Sequence, residues 1–287
     1  TDEQQGGDYA KFTVLNGMDY GEWCEPGITP MQAMMNPRKS VGTAYLAYSG
    51  RLLAEVADEL GKADDAANYR DTAANAVKAY RAAFTENGVI HSDRQCEYVR
   101  AIAFALLGEE ESEAAAETLN RMVAENDYHL NTGFLSTPFL CDVLAKYGYA
   151  DTFYDLLVRE EYPSWGFMLQ NAATTVWERF ELKKNGGMNS HNHPMYGAVG
   201  SCFYTCLAGL SPLEYGWKRF RVSPVMPKQL LYVKACVHTC RGEIQVKWHK
   251  KYDETFLSVS VPFGCRAEVA LPVGVREIGS GYHLFRW

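Results

Sequence analysis

The hydrophobic periodicity of this chain changes once, near residue 210, and that change constrains the fold more than any other feature. Up to residue 208, apolar residues recur every three or four positions. Val41, Tyr45, Tyr48, Leu52, Val56 and Leu60 mark one helix face, and Ala66, Tyr69, Ala73, Val77, Tyr80 and Phe84 mark a second. After Leu210 the period becomes two. Ile244, Val246 and Trp248 alternate with polar residues, as do Leu257, Val259 and Val261, with turn residues Pro224, Pro227, Gly242, Asp253, Gly264 and Gly274 between. The sequence therefore predicts a helical part over 1–209 and a small antiparallel β-sandwich over 210–287. The acidic excess lies before the division and a basic excess after it, within a net charge of −7.

Further helices are expected around 95–107, 110–125, 137–148, 151–160, 172–180 and 194–208. Asp64 is a natural N-cap, Pro138 stands at a first helical position, and Gly148 and Gly209 are stop signals. Short connections make consecutive helices antiparallel neighbours, which fits a solenoid or a closed α/α barrel. No fixed repeat period supports the solenoid. Long aromatic loops over 128–136, 162–168 and 183–193 suggest a site at one end of a barrel.

Several classes are excluded. The acidic balance argues against a nucleic-acid partner. No apolar run is long enough to span a membrane, and the polar start Thr1–Ala10 does not read as a targeting segment. The eight cysteines form no C-x-x-C pair, so no metal is expected, and buried thiols suit a reducing, cytoplasmic compartment. The G-x-S-x-G elbow, the Walker loop and the dinucleotide fingerprint are all lacking, and no cofactor is expected.

Three stretches carry the chemistry. In Ala172–Phe180, Glu178 sits between Trp177 and Arg179; indoles or a guanidinium beside a carboxylate shift its proton affinity. A structural ion pair is the plain alternative, although adjacent residues on a helix do not face one another. In Asn189–Gly197, His191 and His193 precede a helix start; they fit sugar hydroxyls or a simple cap better than a metal. In Asn16–Trp23, two carboxylates and two aromatics share eight residues, which suits a polyhydroxylated ligand or an ordinary turn with a packed Trp.

Tyr162-Pro-Ser-Trp-Gly followed by Ala173-Thr-Thr-Val-Trp-Glu-Arg-Phe resembles the signature of the bacterial α-L-rhamnosidases of glycoside hydrolase family 78. Tyr20-Gly-Glu-Trp, Thr132-Gly-Phe-Leu-Ser-Thr-Pro-Phe-Leu, Asn192-His-Pro-Met-Tyr-Gly-Ala-Val-Gly-Ser and Trp217-Lys-Arg-Phe-Arg-Val-Ser-Pro have counterparts in the same order. The resemblance implies an (α/α)6 six-hairpin barrel followed by a β-sandwich. It implies inverting hydrolysis of terminal α-L-rhamnosides, in which one carboxylic acid protonates the leaving oxygen and a second carboxylate activates water. The family's base falls on Glu178 and a sugar-contacting histidine on His193. Trp23 and Trp165, and more weakly Trp177, would line the pocket. Glu22 replaces a family Asp and is expected to bind hydroxyls. The implied partner is a rhamnosylated glycoside or polysaccharide, with oligomerisation left open.

One family segment has no counterpart. The general acid of the family lies in a D-E-R-x-G-W stretch upstream of Tyr20–Trp23, and this sequence has none. Only seven or eight helices can be counted where a closed barrel needs twelve. The expectation is a partial catalytic domain, feeble or inactive alone; the alternatives are a non-catalytic carbohydrate-binding remnant or a helical scaffold for a protein partner.

Overall fold

The computed structural model describes residues 7–14, 20–35, 39–182 and 188–287. They belong to two compact units, one of residues 1–143 and 155–196, the other of residues 144–154 and 197–287.

Eight α-helices of six or more residues occur among the described residues: α1 (Pro30–Met35), α2 (Ser40–Glu59), α3 (Ala63–Phe84), α4 (Gln95–Ala103), α5 (Glu109–Glu125), α6 (Thr137–Lys146), α7 (Ala150–Leu157) and α8 (Trp165–Gln170). Helices α2 and α3 form an antiparallel hairpin whose buried stripe keeps Val41, Ala66, Ala73 and Tyr80 of the faces read in the sequence and otherwise differs from them. Ala44, Ala47, Gly50, Ala54 and Ala57 of α2 are buried, with Ala66, Ala73, Ala76 and Ala79 of α3. The larger Leu52, Val56 and Leu60 are exposed. Small residues win because they let the two backbones approach: a Cβ on Gly50 would sit 3.1 Å from the Ala73 Cβ and 3.3 Å from the Tyr69 carbonyl. Helix α3 starts one residue before Asp64, so Asp64 and Asp65 lie in the first turn and complement the helix dipole instead of capping it.

At the start of α5, the Glu111 carboxylate accepts from the Gly108 N–H at 2.7 Å and pairs with Arg81 of α3. The Arg81 hydrogen bond is the main reason the Glu111 carboxyl is held down at about 2, with the Gly108 N–H adding to it.

Three expectations fail here. Residues 162–168 are not all loop, because α8 begins at Trp165, with the Ser164 hydroxyl accepting from the Phe167 N–H at 2.9 Å as its N-cap. Residues 172–180 are not a helix. Their polar groups bond across to 189–193 instead, as described below, and the β-branched run Thr174-Thr175-Val176 lowers helix propensity. The segment expected as one helix over 194–208 is a 3-10 turn (Met195–Val199), a short α turn (Gly200–Cys202) and a π turn (Phe203–Leu207).

The sandwich follows the alternating pattern. One sheet runs in the order β1 (Leu210–Pro212), β2 (Arg219–Val222), β6 (Arg266–Leu271), β7 (Gly274–Ile278); the other runs β3 (Tyr232–Thr239), β4 (Gly242–Lys251), β5 (Glu254–Val261), β8 (Gly281–Arg286). All pairings are antiparallel except β2 with β6. Ile244, Val246, Trp248, Leu257, Val259 and Val261 face Phe220, Val222, Ala267 and Val269 in one core. The buried Trp248 indole donates to the Leu207 carbonyl at 2.7 Å, so the largest core side chain leaves no polar atom unsatisfied. Gly209 has φ +70°, and a Cβ there would lie 2.1 Å from the Ser223 carbonyl carbon; the chain enters the sandwich through a position only glycine fits.

Candidate active site

Three of the stretches singled out in the sequence meet in the first unit. Residues 20–25 adopt a sharply turned backbone in which Gly21 (φ +56°), Trp23 (φ +48°) and Cys24 (φ +58°) all lie in the left-handed region. Such geometry costs on the order of 1–3 kcal/mol per non-glycine residue and persists only where the surroundings fix it. Here the Trp23 carbonyl accepts from the Phe134 N–H at 3.0 Å, and the Cys24 carbonyl accepts from the Tyr196 hydroxyl. Gly133 is essential to this clasp, since a Cβ would lie 2.1 Å from the Trp23 oxygen and 2.4 Å from the Glu22 oxygen.

Glu22 is the centre of a buried network. Its Oε1 accepts from the N–H groups of Gly133 at 3.0 Å and Ser136 at 2.9 Å; its Oε2 accepts from the Ser136 hydroxyl at 2.9 Å and pairs with Arg100. Arg100 is itself fully buried, pairs with Glu97 at 2.8 Å and donates to Ser40 at 3.2 Å. Burial pushes the Glu22 carboxyl up to about 7, against the pull of Arg100 and the Ser136 hydroxyl. Glu22 is only 1% exposed and both of its oxygens are engaged. The expectation that it binds sugar hydroxyls does not match this placement: the carboxylate holds the 20–25 turn against 133–136. The Asp19 carboxylate of the same stretch lies outside the described residues, as do Asn16 to Met18.

Glu178 lies on a bent, non-helical segment. The Val176 carbonyl accepts from the His193 N–H at 2.9 Å, and the Glu178 N–H donates to the Ser190 carbonyl at 2.8 Å. The Ser190 N–H returns the bond to Glu178 Oε2 at 2.8 Å. Among the described residues no other group binds the Glu178 carboxylate, which is half-buried. Arg179 does not pair with it. The Arg179 guanidinium forks onto Glu181, with Nε and a terminal nitrogen both 3.0 Å from its oxygens. Glu181 also accepts from the Tyr162 hydroxyl at 3.0 Å and the Gly27 N–H at 3.2 Å. The structural ion pair therefore belongs to Glu181, a residue the sequence reading did not single out; its position two residues beyond Arg179 was the only signal.

The Cys24 thiol lies among these groups. Burial pushes it up to about 12, Arg179 opposes, and Glu178 and Glu181 add to the rise, so it is no nucleophile at neutral pH. The Gly27 N–H on Glu181 and the Arg179 hydrogen bond to the Ile28 carbonyl at 2.8 Å tie the chain just after this turn to residues 179–181.

The aromatic candidates divide. The His193 ring stacks on Phe134 with centroids 5.0 Å apart, and its Nδ1 lies 3.4 Å from the Met195 N–H at the start of the 3-10 turn. Trp165 is half-buried, donates its indole N–H to the Tyr196 carbonyl at 2.9 Å and meets Phe180 edge-on. Trp23 is half-buried and meets Tyr20 edge-on at 4.7 Å. Trp177 is buried and stacks on His191 at 4.3 Å, so it supports the loop beneath the surface. Chemically, the arrangement offers an oriented carboxylate at Glu178, an imidazole at His193 and two partly exposed indoles, Trp23 and Trp165.

Comparison with known proteins gives the same family twice over. Residues 2–207 match the bacterial alpha-L-rhamnosidase 6 hairpin glycosidase domain, and residues 209–285 the bacterial alpha-L-rhamnosidase C-terminal domain. An alpha-L-rhamnosidase of Formosa agariphila is 39% identical over 83% of this chain, and one of Alteromonas sp. is 35% identical over 92%; the chain spans 26% and 30% of their lengths. The crystal structure of the Streptomyces avermitilis alpha-L-rhamnosidase complexed with L-rhamnose matches with TM-score 0.85 at 32% identity, covering 96% of this chain and 29% of that one. That of the Aspergillus terreus enzyme matches with TM-score 0.88 at 31% identity, covering 94% and 33%. With both domain matches in chain order and a helical domain followed by the two-sheet sandwich they predict, the chain belongs to the bacterial α-L-rhamnosidase family.

Proposed function

We propose that this chain supplies the water-activating half of an inverting α-L-rhamnosidase. Glu178 is the general base: it takes a proton from a water that attacks the anomeric carbon of a terminal rhamnose from the face opposite the leaving group. His193 contacts the sugar, and Trp23 and Trp165 line its pocket. Residues 1–209 form the catalytic portion, and 210–287 the accompanying sandwich. The single observation that carries this reading is the Glu178 carboxylate, anchored through one oxygen by the Ser190 N–H in the T-T-x-W-E-R segment the family shares. An anchored carboxylate holds the attacking water without first paying to order itself.

The general acid is not assigned to any described residue. Glu22, a buried carboxylate of the 20–25 turn, is engaged with Arg100 and Ser136. The chain spans about 30% of a curated relative's length, and the acid is proposed to come from a longer polypeptide. The lack of a D-E-R-x-G-W segment supports a second reading for these 287 residues alone, carbohydrate binding without turnover.

The test is release of p-nitrophenol from p-nitrophenyl α-L-rhamnoside by this chain and by a version extended upstream, with the product anomer followed by NMR. Activity confined to the extended version, with β-rhamnose released first, is the expected result. Release of α-rhamnose would overturn the inverting mechanism. Activity in the short chain would mean that it holds an acid of its own.

A further inference from the structure

Outside the candidate active site, the first hairpin of the sandwich gathers three metal-ligating side chains. Cys236 and His238 are two residues apart on β3 and so share a face of the strand; the buried Ala235 belongs to the other face. Pairing with β4 sets Glu243 directly opposite His238, and Gln245 opposite Cys236. The Glu243 Oε2 lies 3.5 Å from the His238 Nδ1. Gln245 donates to the other carboxylate oxygen, Oε1, which fixes how the carboxylate is turned. One ligand atom each from Cys236, His238 and Glu243 lies within 4.8 Å of the other two.

We propose that Cys236, His238 and Glu243 form a zinc-binding site. Tetrahedral zinc holds sulfur at about 2.3 Å and nitrogen or oxygen at about 2.0–2.2 Å, so its ligand atoms stand about 3.3–3.8 Å apart. Rotation of three surface side chains closes the present separations to that range while the paired strands stay in place. One thiolate, one imidazole and one carboxylate select a borderline-soft cation over calcium or magnesium. Three protein ligands leave the fourth position to water. Gln245 is an outer partner of the kind that orients ligands in zinc sites. Cys240 does not belong to the group: it stands in the hairpin turn, and its thiol reaches the Gly216 carbonyl at 3.6 Å. The site ties β3 to β4, so the ion binds only the folded hairpin and stabilises it by mass action.

The experiment is titration of the metal-stripped full chain with Zn²⁺ against a competing chromophoric indicator, alongside Co²⁺ absorption spectra. One equivalent is expected to bind, with a cobalt–thiolate charge-transfer band. Cys236→Ser and His238→Ala should each weaken binding by at least ~10-fold and remove or shift that band. Cys240→Ser should leave both unchanged. Unweakened one-equivalent binding in the Cys236→Ser/His238→Ala double variant overturns the proposal, as does no zinc uptake by the unsubstituted chain or a cobalt complex without a thiolate band. Circular dichroism of each variant separates loss of a ligand from loss of the fold. None of these readouts depends on rhamnoside hydrolysis.

Discussion

Glu178 and Ser190 hold each other by two bonds: the Glu178 N–H donates to the Ser190 carbonyl at 2.8 Å, and the Ser190 N–H donates to Glu178 Oε2 at 2.8 Å. Main chain and side chain of one carboxylate are thereby fixed to the same residue on the opposing segment. The orientation of Glu178 then depends on the 189–193 loop and not on a helix.

Glu178→Gln keeps an acceptor for the Ser190 N–H, because the amide oxygen replaces Oε2. The fold should therefore survive while proton abstraction is lost. In the longest active form of the protein, kcat is expected to fall by ~10²–10⁴-fold, with rhamnose affinity and unfolding midpoint nearly unchanged. Steady-state kinetics and calorimetric titration with rhamnose check this, and a variant that retains wild-type kcat would remove Glu178 as the base.

Arg100→Met leaves Glu22 and Glu97 without their buried partner. Removing one member of a buried pair costs about 3–5 kcal/mol, because the charge left behind is neither solvated nor matched. Urea unfolding should show that loss. Adding Glu22→Gln to Arg100→Met should recover part of it, since the stranded charge goes too. Equal midpoints for wild type and Arg100→Met would mean that the network contributes nothing.

Gly133→Ala pushes a methyl against the Trp23 and Glu22 carbonyls at 2.1 and 2.4 Å, and neither is a flexible side-chain end that can swing away. Overpacking of this kind costs about 1–3 kcal/mol. A lowered thermal midpoint, with raised hydrogen exchange at Phe134 whose N–H bonds Trp23, is the expected outcome. Unchanged exchange at Phe134 would count against the clasp.

The acid limb of stability should report on Glu111. Its folded carboxyl sits at about 2, below the 4.5 of the unfolded chain. The unfolded state therefore binds the proton first as pH falls, and stability present above pH 4.5 is lost on the way down to about 2. The pair with Arg81 is partly open to solvent, which limits the effect to about 1 kcal/mol. Glu111→Gln should flatten that limb of the urea midpoint against pH, and a profile as steep as wild type would place the titration elsewhere.

Much of this protein was legible before any coordinates, because some of its constraints are local. A period of three or four against a period of two separates helices from half-buried strands, and the strand residues from Ile244 to Val261 lie in the sandwich core as the alternation requires. The rhamnosidase motifs likewise read along the chain. Periodicity does not decide which stripe faces inward. Ala44, Ala47 and Gly50 win that place in α2 over Leu52 and Val56 because α3 offers an alanine surface that only small residues approach closely. Nor does it decide partners far apart in sequence. Glu22 reads as an exposed acidic loop residue until the fold brings Arg100 against it, and Glu178 reads as helical until 189–193 supplies the hydrogen bonds a helix would have provided. A search for C-x-x-C pairs passes over Cys236, His238 and Glu243, which only the register of two strands assembles. Sequence spacing carries the geometry within one element; between elements, burial and pairing energies choose which side chains meet.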